Sequence, residues 1–466
     1  MSKHEFTSIR VPIAKDNPSI QRLEFKCIKC GACKMVCTND IGVCGTYDLA
    51  KTNDVPVCIY CGQCANVCPV DSITEKIEAY EVLEAINDPE KIVIVNTSPS
   101  VRAALGEEFG MADGSFVEGK MVALLRKLGV DYVLDTSFAA DLTIVEEASE
   151  LIERITTGKL PLPQFTSCCP AWVKFAEIYY SEMLPHISTA KSPIGMQGPT
   201  VKTYFAKKMG IDPTKIVNVA LTPCTAKKFE IRREEMCAAG KYLGIEGLRD
   251  MDHVITTREL AMLAKDANID FAALEDSPYD KLMGEATGAA KIFGNTGGVM
   301  EAAIRTAYAY ITKEPVPADL LNLEPVRGLD GIKEATVKIK DLEVKVAVVY
   351  GTANARKLIE KIKAGKANYH FVEVMTCPGG CIGGGGQPKD REYKGDALRA
   401  KRIASLYNND KEMRVRLSHE NQELIELYKE FYGKPLSELA EKMLHTGYHD
   451  CSELLGGGNI SADFKL

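Results

Sequence analysis

The chain has 466 residues, 45% hydrophobic and 26% charged, the profile expected of a soluble globular protein with two or three substantial cores. A net charge of −7 argues against a nucleic-acid partner, because phosphate binding rests on an excess of Lys and Arg. The N-terminal stretch lacks the apolar core of a secretory leader, and Arg232-Arg233 is internal. No run approaches the roughly 20 apolar residues of a membrane span, so a cytoplasmic chain without a membrane partner is expected.

Sixteen cysteines in such a chain point to metal rather than to a disulfide framework. Cys27-x2-Cys30-x2-Cys33-x3-Cys37 is followed by Cys58-x2-Cys61-x2-Cys64-x3-Cys68-Pro69. This is the doubled run of bacterial two-cluster ferredoxins, in which the fourth cysteine of each run ligates the other cluster. One 4Fe–4S cluster is therefore expected on Cys27, Cys30, Cys33 and Cys68, and the other on Cys58, Cys61, Cys64 and Cys37. Zinc sites draw thiols from two separated pairs, whereas each run here has steps of three, three and four, which disfavours zinc. The first run ends Cys37-Thr38 instead of Cys-Pro, outside the ligand set. No plant-type 2Fe–2S spacing occurs. Residues 1–78 read as an α+β two-cluster ferredoxin-like domain, with 1–20 as an extension.

From about residue 79 the pattern alternates between strands and helices. A β-branched run at 91–96 ends at Ser98-Pro99-Ser100, and a helix is expected over 101–110. Further strands are expected at 132–136, 165–167, 216–221 and 346–350, the last leading into a helix over 354–364. Buried strands alternating with helices predict parallel α/β sheets, whose sites collect where strands end. Cys168-Cys169 and Cys224 follow two of these runs, and Cys377 follows the apolar run 371–375, so four thiols stand at sheet edges, able to converge on one pocket. Cys377 and Cys381 lie in EVMTCPGGCIGGGGQP, residues 373–388. Thiolates on a Gly-lined backbone suit an inorganic cluster: sulfur holds iron, and the glycines leave room where metal must sit. After about residue 395 the chain turns charged and helical, with a helix capped near Ser418 and stopped at Gly433 before Pro435. This tail is expected to wrap the body. Cys44, Cys237 and Cys451 read by default as buried free thiols, and Trp172 as core packing.

TSCCPAW at 166–172, TPCTAKKFE at 222–230 and EVMTCPGGCIGGGGQP at 373–388, together with the doubled cysteine run, resemble the FeFe-hydrogenases from about residue 20 onward. The match is to the shorter bacterial form with two accessory 4Fe–4S clusters. The resemblance implies an α/β catalytic body over 79–394, with two parallel-sheet lobes enclosing the cluster, and a helical small-subunit-like segment over 395–466. It also implies an active-site cluster made of a 4Fe–4S cube and a di-iron unit with CO, cyanide and azadithiolate ligands. By motif position its ligands are Cys169, Cys224, Cys377 and Cys381, the last bridging cube and di-iron unit. Cys168 falls on the family's non-ligating thiol that passes protons to the bridgehead amine, a role suited to a group that holds one proton and exchanges it. Lys227 matches a lysine that binds a cyanide ligand, where its ammonium neutralises charge in a dry pocket. Ser98, Pro99 and Ser100 match the loop at the second cyanide, Met375 a residue packed on the cluster, and Phe293 with Gly297 and Gly298 a loop against it.

Glu147, Glu150 and Arg154 recur at i, i+3 and i+7 on one helix face. With Ser188, twenty residues beyond Cys168, they coincide with the family's proton relay from surface Arg and Glu through Glu and Ser to the cysteine. Two departures stand out: Ala171 replaces a common glycine, and Thr222 replaces the methionine of Met-Pro-Cys near the bridging CO. Such neighbours shift redox potentials, so an altered bias between hydrogen uptake and evolution is expected. The implied reaction is reversible H2 oxidation and proton reduction, with ferredoxin or flavodoxin as electron carrier, separate maturases building the di-iron unit, and a monomeric chain. The rival readings are a non-catalytic iron–sulfur assembly relative, a hydrogen sensor and a subunit of a larger complex. Intact Lys227, Cys168 and relay carboxylates argue against the first. The second usually has a signalling domain, and the third extra cluster domains; neither is seen.

Overall fold

In a computed structural model that describes residues 9–456, the cysteine-rich unit closes on a two-stranded ribbon. The first residues of the stretch examined for a leader, and the end of the helical tail, lie outside the described residues. Strand β1 (Ile20–Arg22) leads to helices α1 (Ala32–Asn39) and α2 (Gln63–Asn66), and β2 (Ile73–Glu75) returns antiparallel with Gln21 opposite Thr74. Each helix is entered through a left-handed glycine, Gly31 at φ +83° and Gly62 at φ +69°. A side chain would be strained there, so both turns around the thiols need glycine.

The first lobe of the body contains β3 (Ile92–Thr97) and β4 (Tyr132–Asp135), followed by the long helix α3 (Thr136–Thr157). Asp135 caps that helix by accepting the Ser137 amide at 2.8 Å, and Gly158 ends it in the left-handed region. The second lobe begins with β5 (Gln164–Phe165), from which the chain passes into helix α4 (Pro170–Tyr179), with Pro170 in its first turn. The chain then returns to the first lobe as β6 (Ile216–Thr222) and β7 (His253–Thr256), completing a fully parallel sheet in the order β4-β3-β6-β7. Its central strands are buried along almost their whole length, which explains why both are mostly apolar.

Helix α5 (Gly298–Thr312) precedes β8 (Ile332–Ile339), β9 (Leu342–Tyr350) and β10 (Phe371–Met375). The second sheet runs β5-β10-β9-β8 and is parallel except at its edge, where β8 pairs antiparallel with β9 through Lys340-Asp341. The two-lobed α/β body expected from sequence is present, and the hairpin is an addition to it. Strand β8 alternates charged and apolar residues, so only one of its faces packs on the core.

Two local expectations are corrected. Residues 101–110 form turns and a short 3-10 helix at Leu105–Phe109, not an α-helix. The Arg102 guanidinium is drawn onto the Asp135 carboxylate at 2.8 Å, Gly106 packs against Met111, and Gly110 reverses the chain. In the tail Ser418 opens only a 3-10 turn. The cap is Asn421, whose side chain accepts the Leu424 amide at 3.2 Å and donates to Asp141 at 3.0 Å, and Gly433 stops the helical run as expected. Glu146 on α3 accepts the Tyr428 hydroxyl and the Leu436 amide, which holds the tail on the body. Trp172 is fully buried and donates to the Thr166 carbonyl at 3.0 Å. Among the described residues no helix is long and apolar enough to cross a membrane.

Candidate metal centre and proton relay

The thiols of the body stand just past three strand ends. Cys168 and Cys169 follow β5, Cys224 follows β6, and Cys377 and Cys381 follow β10. Because β5 and β10 are hydrogen-bonded neighbours, Cys169 meets Thr376, whose amide donates to its Sγ at 3.4 Å. All five thiols line one cavity between the lobes, about 70 Å³ in volume. Lys227, Thr222, Met375 and Phe293 line it too, as does the loop Ser98-Pro99-Ser100. Gly297 and Gly298 stand one step back, at the start of α5, where the Gly297 amide donates to Glu373 at 2.6 Å.

This donor set fits an iron–sulfur group. Soft thiolates suit iron–sulfur clusters, and among the described residues no three His, Cys, Asp or Glu side chains converge as a single bound ion requires. The Ser100 hydroxyl is buried on the cavity wall without a hydrogen-bond partner, as a donor kept for a bound group would be.

The glycines of 379–386 do something other than leave room for metal. A Cβ on Gly384 would collide with the Pro223 carbonyl, on Gly385 with the Cys61 carbonyl, and on Gly386 with Thr256. The run is thin because backbone lies against it on both sides. Gln63 Nε2 donates to the Gly383 carbonyl at 2.9 Å and Thr225 Oγ1 to the Tyr60 carbonyl at 2.8 Å, fixing the second cysteine run against this wall.

In the ferredoxin-like unit Cys27, Cys30, Cys33 and Cys68 line one small cavity, the first of the two sets expected. Burial pushes the Cys37, Cys61 and Cys64 thiols well up, and neighbouring thiolates, Cys58 among them, add to this in each case. Cys61 is also raised by Cys224, and Cys377 by Cys61, so this second set is the one beside the active-site cavity.

Glu147, Glu150 and Arg154 share one face of α3, and the Ser188 hydroxyl donates to Glu150 at 2.6 Å. Glu147 is fully buried and neither of its carboxylate oxygens has a hydrogen-bond partner. Burial first, and then the charge of Glu150, push its carboxyl up to about 8, so it holds a proton at neutral pH. Burial, then the Glu147 charge, likewise hold the Cys168 thiol well above its ordinary value. Arg154 is not at the surface as expected. It is 2% exposed, and its guanidinium donates to the Pro161, Pro185 and Ile187 carbonyls and to Glu150 at 2.6 Å. A guanidinium does not give up its proton, so in this geometry Arg154 orients Glu150.

Two acidic residues escape sequence reasoning. Glu230 accepts the Lys227 ammonium at 2.7 Å, while the same nitrogen donates to the Cys168 carbonyl at 3.1 Å. Burial alone would lower the Lys227 ammonium, but the charges of Glu230 and Cys224 outweigh it and raise it. The i, i+3 spacing within AKKFE is the signal that could have found Glu230. Glu373 accepts the Gly297 amide and the Met300 amide at 2.8 Å, tying β10 to the start of α5, and burial pushes its carboxyl up to about 7. An acidic residue inside an apolar strand was its signal.

The model of the iron only hydrogenase large subunit, C-terminal domain, matches residues 91–385. The iron hydrogenase small subunit matches 396–451, and a 4Fe-4S binding domain 54–74. The chain is 48% identical to the NADP-reducing hydrogenase subunit HndD of Solidesulfovibrio fructosivorans, over 92% of this chain and 74% of that protein. It is 45% identical to iron hydrogenase 1 of Clostridium pasteurianum, over 91% and 74%. Identity is 31% to the cytosolic Fe-S cluster assembly factor narfl of Danio rerio, over 82% and 93%. A solved apo structure of a variant [FeFe]-hydrogenase HydA1 from Chlamydomonas reinhardtii superimposes with a TM-score of 0.71 at 40% identity, covering 80% of this chain and 99% of that one.

Proposed function

This chain belongs to the iron-only (FeFe) hydrogenase family, oxidoreductases of hydrogen oxidation and proton reduction, and on that footing we propose how its residues divide the work. Cys169, Cys224, Cys377 and Cys381 would hold the active-site cluster. Cys27, Cys30, Cys33 and Cys68 hold one accessory cube, and Cys37, Cys58, Cys61 and Cys64 the other. When bound, these groups would supply the iron at which H2 is cleaved or formed and one-electron storage behind it.

Cys168 carries the proton at the cavity wall. Glu147, protonated in its buried site, releases its own proton toward Ser188 and Glu150 as it accepts one from Cys168, while Arg154 holds Glu150 in place. Lys227, fixed between Glu230 and the Cys168 carbonyl, presents positive charge to anionic ligands, and Ser98 and Ser100 present the opposite wall. Pro99, Met375 and Phe293 keep water out. We assign residues 1–78 to the ferredoxin-like domain, 79–394 to the catalytic domain and 395–466 to the small-subunit-like segment. A monomeric cytoplasmic chain is the working picture, exchanging electrons with ferredoxin or flavodoxin and loaded by maturases.

The observation that carries this reading is five thiols and one buried ammonium around a single cavity. The test is an infrared spectrum of protein co-expressed with maturases. Bands in the CO and cyanide stretching region are expected, and their absence at full cube content would favour the assembly-factor alternative. Thr222, 2% exposed on the cavity wall, sets the catalytic bias in this proposal. Thr222→Met should shift the ratio of uptake to evolution currents in film voltammetry, and an unchanged ratio would remove Thr222 from the account.

A further inference from the structure

The stretch before β1 contains no cysteine, yet it donates hydrogen bonds to sulfurs of both ferredoxin-like sets, Arg10 to Cys27 among them. The Val11 amide reaches Cys33 Sγ, and Asn17 Nδ2 reaches Cys58 Sγ, both at 3.5 Å. The contact from Asn17 differs from that of Val11 because it comes from a side chain. It is also built. Asn17 is 3% exposed, and its Oδ1 accepts the Ser19 and Ile20 amides at 3.0 Å each. With the oxygen end taken by two backbone donors, the NH2 end is the one left to face sulfur. The Asn17 amide donates in turn to the Ala14 carbonyl at 3.2 Å, so a closed turn leading straight into β1 holds the side chain. The Tyr60 amide gives Cys58 Sγ a second donor at 3.3 Å.

Hydrogen bonds to cluster sulfurs favour the reduced form, which carries one more electron, and they are one of the means by which a protein sets an iron–sulfur potential. The set that receives the Asn17 donor is the one whose Cys61 carbonyl packs on Gly385, next to Gly384 of the active-site cavity wall. We propose that Asn17 is a positioning residue that raises the reduction potential of the cube held by Cys37, Cys58, Cys61 and Cys64, favouring an electron on the centre next to the active-site cavity. This rests on the ligand assignment above.

The test uses the full chain with its cubes loaded, titrated under EPR observation, with iron and sulfide counted in parallel. Asn17→Asp keeps the oxygen that accepts the Ser19 and Ile20 amides and replaces the donor with a second, anionic oxygen, so that lost donation and added charge act in the same direction. It should retain the iron of both cubes while one centre becomes harder to reduce and the other titrates as in the parent. At the parent's midpoint, the reduced-to-oxidised ratio of that centre should fall roughly fivefold or more, the size of one lost hydrogen bond. Asn17→Ala should move the same centre in the same direction. Parental potentials in both variants would overturn the proposal, as would loss of a cube from both, which would make Asn17 a structural support. Cys58→Ala separates the two levels: loss of one cube is expected, and full iron content there would overturn the ligand assignment itself.

Discussion

Cys168→Ala is expected to lower hydrogen turnover at least about 100-fold, the lower end of what positioned acid–base groups contribute, with no change in iron content. The side chain lines the cavity beside Cys169, which meets Thr376 across the β5–β10 pair. Its thiol is kept protonated by burial and by Glu147. A methyl group fills most of the same volume and binds no proton, so the fold and the other thiols should be undisturbed. The checks are an evolution assay with a reduced dye and an iron count on the same preparation. If iron falls together with turnover, Cys168 is a ligand and the relay reading fails.

Glu147→Gln should be nearly as severe for turnover, roughly 100-fold or more, and should have the opposite effect on stability. Glutamine matches the size of the protonated carboxyl but neither accepts nor releases a proton. The Glu147 carboxyl titrates near 8 in the folded chain, against 4.5 for the ordinary group. Between those values the folded state holds a proton that the unfolded chain has lost. Its stabilising linkage is therefore complete below the lower value and is lost as pH rises through the upper one. A glutamine escapes that loss. The thermal midpoint of Glu147→Gln relative to the parent, at matched iron content, should climb between about pH 5 and about pH 8. A flat difference across that range would mean that Glu147 is ionised in the folded chain.

The thiols were legible because ligand spacing is a local property, and strand–helix alternation located the strand ends that carry them. Groups whose partners come from elsewhere were not legible. Arg154 reads as a surface residue because it lies among polar neighbours near a helix end, yet the carbonyls that take it inside belong to Pro161, Pro185 and Ile187. Glu373 reads as an anomaly in an apolar strand until the start of α5 is laid over it. Residues 101–110 have helical composition, but the pull of Asp135 on Arg102 outweighs a propensity worth only tenths of a kcal/mol per residue. Strand β8 was missed because its charged, alternating pattern is that of an edge, unlike the apolar runs of the buried strands.

The bare backbone from Gly384 to Gly386 also bears on how this protein could be rebuilt. The Cys61 turn presses on one side of that ribbon and Pro223 on the other. At this turn the electron-transfer unit is thus seated by main-chain contact, with side chains such as Gln63, Thr225 and Arg258 bonding around it. A foreign module grafted in place of residues 1–78 would have to match that footprint atom for atom at one turn. Grafts should tolerate almost no change of backbone path where they meet Gly385.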